Sequence, residues 1–193
     1  MRAVPPQIAA KLPAAAELFA ERGLDQTRIE DVASATGIAK ATLYYYFSGK
    51  EEILGFLLND VLMRVADEVA TAVRAPGSAA DRLTAVIRAQ LRVMAERPAV
   101  CRALVGDLGR AGRMPTIAAM IHAAYYEPVE ALLVEGADDG SLAETSDPAS
   151  VAMALFGAVT ISALSYLVTL QPLDEARIAT ALVEMVLTGL QPR

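Results

Sequence analysis

The stretch 27–50, TRIEDVASATGIAKATLYYYFSGK, holds two short helical patterns separated by a single glycine. Ile29, Val32, Ala33 and Thr36 recur at i, i+3, i+4 and i+7, which gives the first pattern one inward face. Gly37 breaks it. The second pattern starts at Lys40 and is anchored through Leu43 and Phe47, again on one face. Helix, tight glycine turn, helix is a layout whose second helix can enter the major groove of DNA.

The angular positions sharpen this. With Leu43 at zero and about 100° per residue, Phe47 returns to the core side, Ala41 and Tyr45 point away, and Thr42 and Tyr44 lie on the flanks. Tyr44, Tyr45 and Tyr46 are consecutive and cannot all face one core, so at least one is exposed. A small residue at Ala41 lets the backbone approach base edges, and Thr42 can reach a base or a phosphate oxygen. Tyrosines offer a hydroxyl to phosphate without a long flexible stem. Arg28, Lys40 and Lys50 each stand at the start of a helical pattern, as cations placed for phosphate. The candidate DNA-facing set is therefore Arg28, Lys40, Ala41, Thr42, Tyr44, Tyr45, Tyr46 and Lys50.

Residues 18–54, LFAERGLDQTRIEDVASATGIAKATLYYYFSGKEEIL, carry a resemblance. LF, then G, T, a V-A pair and G-I-x-K-A-T-L-Y-x-Y-F-x-x-K resembles the N-terminal domain of the TetR family of bacterial regulators. That resemblance implies a dimeric, ligand-responsive DNA-binding protein, usually a repressor. One departure stands out: Ala39 occupies a position where the family usually has Ser or Thr. A hydroxyl there would cap the second helix, and its loss costs about 1 kcal/mol.

The formal net charge of −6 argues at first against DNA, but the charge is unevenly spread. Residues 1–50 carry a balance of +1 and all three lysines, Lys11, Lys40 and Lys50, whereas residues 51–193 carry −7. A near-neutral head can touch DNA while an acidic body stays clear of it. The lone Cys101 excludes an internal disulfide and fits a reducing cytoplasm. The N-terminal MRAVPPQIAAKL has no long apolar run, so no signal peptide is expected.

Abundant Ala, Leu, Val and Met with few strand signals predict an all-α fold of about nine helices. Ile8, Leu12, Ala15 and Phe19 form the inner stripe of a first helix ending at Gly23. Pro13 either kinks that helix or marks its start near Leu12. Thr27 with Glu30 matches a capping box for the next helix. A long helix follows from Lys50 to about Arg74, then helices at about 79–96, 99–109 and 115–135, the last kinked by Pro128. Domain boundaries are set at 7–50 for the DNA-binding head and 51–193 for the rest.

Residues 149–173 carry no charge and are long enough to span a bilayer. Their flanks are Asp147 and Asp174-Glu175 rather than Lys or Arg, and Ser and Thr recur within the run, so a buried bundle helix is preferred over a membrane span. With a final helix at about 174–189 it would form a four-helix interface in a twofold dimer, as the resemblance implies, with Phe156, Val159, Ala163, Leu182, Met185 and Val186 as the candidate contact residues. Leu91, Met94, Met120, Tyr125, Tyr126 and Phe156 are candidates to line an apolar effector pocket among the middle helices.

The only histidine, His122, has no second His or Cys nearby, and no phosphate loop or GxSxG elbow appears. No enzymatic activity, metal or cofactor is expected. The expected partners are a double-stranded DNA operator, a small lipophilic effector and a second copy of the chain.

Overall fold

The computed structural model describes residues 3–106, 115–169 and 174–190. Every regular element among them is helical. A single turn at Pro6–Ala9 precedes α1 (Pro13–Gln26), α2 (Ile29–Thr36), α3 (Lys40–Tyr46), α4 (Lys50–Val73), α5 (Ala79–Glu96) and α6 (Pro98–Gly106). The helix α7 covers 115–138 as two α-helical stretches, Pro115–Ile121 and Glu127–Asp138, joined by a π-helical turn at His122–Tyr126. The last two are α8 (Pro148–Val168) and α9 (Glu175–Gly189). Nine helices thus stand among the described residues, counting the stretch 115–138 as one and leaving out the single turn at Pro6–Ala9, in line with the expected all-α fold of about nine.

Contacts divide the chain into two compact units, Met1–Val61 with Arg97–Met114, and Leu62–Glu96 with Pro115–Arg193. The first unit takes in α6 and the first half of α4, elements that a boundary at residue 50 assigns to the body. The reason is packing. The helix α6 lies against α1, and Arg102 Nη2 donates to Glu17 Oε2 at 2.6 Å.

In the first unit, Ala15, Ala16 and Phe19 are buried as the inward stripe of α1, with Leu12 buried just ahead of it. Pro13 begins the helix, where a missing N–H is no loss. At Gly23 the backbone leaves the helical region, and one further turn runs on to Gln26. The expected capping box shifts by one residue. Thr27 is buried and donates its hydroxyl to the Gly23 carbonyl at 2.8 Å, and the residue that stands directly ahead of α2 is Arg28. Asp31, not Glu30, accepts the backbone N–H of Arg28 at 3.0 Å. At the start of α4, the Ser48 N–H and hydroxyl donate to Glu52 Oε2 at 2.6 and 2.8 Å, which holds the Glu52 carboxyl below its ordinary range.

In the second unit, α5 packs against α7, α8 and α9. Leu83, Val86, Ile87, Gln90, Leu91 and Met94 are its buried positions, as their spacing predicts. Asp147 accepts the Ser150 N–H at 3.0 Å and caps α8, with Pro148 in the first turn. Asp174 does the same for α9 through the Arg177 N–H at 3.0 Å. The kink expected at Pro128 takes the form of the π-helical turn just ahead of it. There the Glu127 N–H reaches back to the His122 carbonyl, an i to i+5 bond. Proline brings no N–H and would crowd the carbonyl one turn back, and the wider turn accommodates both. Close packing also fixes Gly136: a Cβ there would lie 2.5 Å from Leu142 Cδ1, and Leu142 is buried upon it.

One helix among the described residues, Pro148–Val168, is long and apolar enough to cross a membrane, and 33% of its most apolar window is buried within the chain. Ala152, Leu155, Val159, Ala163, Leu164 and Leu167 face inward, whereas Met153, Ile161 and Val168 are exposed.

Candidate nucleic-acid interface

The turn between α2 and α3 is built by three residues. Gly37 adopts φ 64° and ψ 23°, a left-handed conformation that costs a residue with a Cβ about 1 kcal/mol or more. The Thr36 hydroxyl donates to the Val32 carbonyl at 2.7 Å and accepts the Ile38 N–H at 3.3 Å, so it closes the last turn of α2 from inside. Ile38 is buried, which fixes the exit direction of the chain. Ala39 is the residue before α3 and offers no side-chain cap, as its sequence implies.

The helix α3 is held by Leu43 and Phe47, both buried, with Phe47 set edge-on to Phe56 at 5.8 Å between ring centroids. The opposite surface is open. Ala41 is exposed, and Tyr44 and Tyr45 retain 52% and 58% of their surface. Thr42 and Tyr46 are half-buried at the flanks, and Tyr46 meets Tyr45 edge-to-face at 4.9 Å. Two large aromatics thus remain more than half exposed beside a small residue and a threonine, an exposed aromatic surface of the kind that marks interaction sites.

The cations are not equivalent. Arg28 is exposed at the head of α2. The Lys40 ammonium forms a hydrogen-bonded ion pair with Glu30 of α2 and lies 5.8 Å from the Tyr44 ring centroid. The hydrogen bond from Lys40, with their mutual attraction, lowers the Glu30 carboxyl below its usual range, and Glu30 raises the Lys40 ammonium. Lys50 is tied down differently. Its ammonium donates to the backbone carbonyls of Asp25, in the last turn of α1, at 3.0 Å and of Thr27, just past its end, at 2.9 Å. Glu30 as the Lys40 partner is absent from the set read off the sequence. Its only sequence signal, a carboxylate ten residues before a lysine across the turn, is weak.

In the second unit, Tyr125, Tyr126 and Phe156 come together. Phe156 is edge-on to Tyr125 at 5.1 Å and to Tyr126 at 5.6 Å. Leu91 and Met94 are buried in α5, and Met120 is half-buried in α7. His122 is exposed and pairs through Nδ1 with Glu127 at 3.1 Å. Gln90 is buried beside Phe156, and its Nε2 donates to Thr160 Oγ1 at 2.8 Å. The Tyr125 hydroxyl and Gln90 Oε1 are buried without a hydrogen-bond partner. Each such orphan costs about 1–3 kcal/mol.

The residues expected to form a face for a second copy differ in exposure within the chain. Val159, Ala163 and Leu182 are buried, on the elements α8 and α9 that pack against α5. Phe156 and Val186 are half-buried, and Met185 is exposed. The open apolar positions are Met153, Ile161, Val168 and Met185. Because α8 is apolar on every side, its sequence carries no periodicity to say which side turns inward.

A short helix held by two core anchors, presenting small, hydroxylated and aromatic side chains beyond a left-handed glycine turn, defines a helix-turn-helix DNA-binding protein. The chain belongs to the TetR family of bacterial regulatory proteins: residues 12–55 match "Bacterial regulatory proteins, tetR family" and residues 76–190 match "Tetracyclin repressor-like, C-terminal domain". It is a ligand-responsive, DNA-binding transcriptional regulator. It is 22% identical over 180 residues to the fatty acid metabolism regulator protein of Bacillus subtilis, covering 93% of each chain. It is 44% identical over 64 residues to the HTH-type transcriptional repressor KstR2 of Rhodococcus jostii, covering 31% of each. Its fold superposes on the crystal structure of FadR from Bacillus subtilis in complex with stearoyl-CoA with a TM-score of 0.77, at 21% identity, covering 94% of this chain and 98% of that one.

Proposed function

We propose that the protein is a cytoplasmic repressor that binds a palindromic operator as a homodimer and is released by a small lipophilic molecule. Residues 7–50 contact DNA and residues 51–193 pair and sense the effector. The observation that carries this reading is the exposed Ala41–Tyr44–Tyr45 face of α3, opposite the buried Leu43 and Phe47. Ala41 and Tyr45 meet base edges, and Thr42, Tyr44 and Tyr46 meet base or backbone according to their place on the flanks. Arg28, Lys40 and Lys50 serve the phosphates.

Pairing is supported by the apolar surface of Met153, Ile161, Val168 and Met185, which one chain leaves in water. A lipophilic effector is supported by the cluster of Tyr125, Tyr126 and Phe156 beside Leu91, Met94 and Met120, and by the acyl-CoA held in the structure of a similar fold. The effector acts by binding better to a state in which the two recognition helices no longer match the groove spacing, since a ligand shifts an equilibrium only by its differential affinity.

Selection of binding sites from random duplex DNA, with light scattering of the same sample, tests the reading. It predicts an inverted repeat whose half-sites lie one helical turn apart, about 34–36 Å or a multiple, and a particle of two chains. A monomer, or a protein recovered with the membrane fraction, would sink it.

A further inference from the structure

The last two tyrosines of α3 are not equally held. Tyr45 retains 58% of its surface, while Tyr46 is half-buried. The backbone under Tyr46 is fixed. It is the last residue of α3, and Phe47 after it leaves the helix at φ −128° and ψ 137° with its side chain buried. The Phe47 N–H still closes on the Leu43 carbonyl at 2.8 Å, so both core anchors grip the turn that carries Tyr46.

Neighbours in sequence diverge by about 100° around a helix and do not face one another. The rings of Tyr45 and Tyr46 nonetheless meet, with centroids 4.9 Å apart and planes at 88°. That is the edge-to-face arrangement which the ring quadrupole favours. An exposed tyrosine without such a contact divides its time among staggered χ1 rotamers, and freezing it against DNA costs entropy.

We propose that the Tyr46 ring is the positioning group for Tyr45, and that it thereby sets how sharply one base step of the operator is read. This rests on the reading above in which Tyr45 meets base edges, and it gives Tyr46 a role beyond its place on the flank. The ring contact selects one Tyr45 rotamer before DNA arrives, so less ordering remains to be done on binding. A phenylalanine at 46 offers the same ring edge and face, whereas a leucine offers bulk without a quadrupole.

Competition binding of the full-length protein to the duplex selected from random DNA, and to its single-base variants, tests this. Tyr45→Ala first identifies the step at which discrimination falls. At that step Tyr46→Phe retains the wild-type discrimination, and Tyr46→Leu lowers it about fivefold. At the other steps Tyr46→Leu leaves it unchanged. In a Tyr45→Ala background Tyr46→Leu removes nothing further, because the two rings act as one unit. Equal losses in both backgrounds, a uniform loss at every step, or a Phe variant as impaired as the Leu one overturns the proposal and leaves Tyr45 a base reader. A Tyr45→Ala variant with every base preference intact overturns that role of Tyr45 as well. Three-bond NMR couplings from Tyr45 Cγ to the backbone nitrogen and carbonyl carbon, measured on the free wild-type protein, need no variant to fold. They report a single χ1 rotamer; an average over several overturns the proposal.

Discussion

Lys40, the first residue of α3, is ion-paired with Glu30 on α2, so the cation nearest the recognition surface is already partnered before DNA arrives. Phosphate must compete with a carboxylate, and the pair is exposed, which keeps that competition easy.

Glu30→Gln therefore raises affinity for specific and random duplexes alike. The slope of log K against log salt steepens by about one, as expected for one added phosphate contact. Fluorescence anisotropy at several salt concentrations measures it. An unchanged slope would mean that Lys40 does not reach phosphate.

Tyr45→Ala changes which sequences are preferred, by about 1–3 kcal/mol at the affected base step. Lys50→Ala weakens every sequence and flattens the salt slope. Because the Lys50 ammonium also holds the Asp25 and Thr27 carbonyls, the same variant loses about 1 kcal/mol of stability, which Tyr45→Ala does not. Binding-site selection, salt titration and urea melts separate the two. Equal effects of both substitutions on specific and random DNA would refute the division of labour.

Gly136→Ala destabilises the second unit by about 1–3 kcal/mol, since its new methyl would lie 2.5 to 2.9 Å from three atoms of the buried Leu142 side chain. Adding Leu142→Ala recovers part of the strain term, so the two changes are non-additive in urea melts.

Asp139 gives a pH dependence. The Ser141 hydroxyl, the Ala79 N–H and the Ser141 N–H hold its carboxyl below the ordinary aspartate value. A carboxyl lowered on folding contributes stability above its unfolded pKa and loses it as pH falls through the folded one. The contribution is thus complete at neutral pH and fades below about pH 4. Asp139→Asn should shift the urea midpoint at pH 7 and have less effect at pH 3.

Much of this was legible in the residues. The bounds of α5, the glycine turn at Gly37 and the outward side of α3 follow from spacing alone, because each of these helices has one apolar face. What escaped is of three kinds. Contacts between residues far apart along the chain, Lys40 with Glu30 and Lys50 with the α1 carbonyls, leave no periodic trace. Thr27 read as a cap because the sequence pattern fits, but its hydroxyl found carbonyls at the Gly23 break instead. And the burial of Val159 and Ala163 within the chain's own core was not readable, because a helix apolar all round gives no phase by which to choose a side.

The half-covered state of α8 makes quantity a variable of the protein's integrity. In the proposed dimer, a chain without its mate would expose a segment with the length and hydropathy of a bilayer span, so dilution and overexpression would be hazards of different kinds: the first would strip the segment of cover by mass action, the second would let unmatched copies find lipid or one another in the wrong register. The level at which the cell keeps such a regulator is bounded from both sides by the oiliness of one helix.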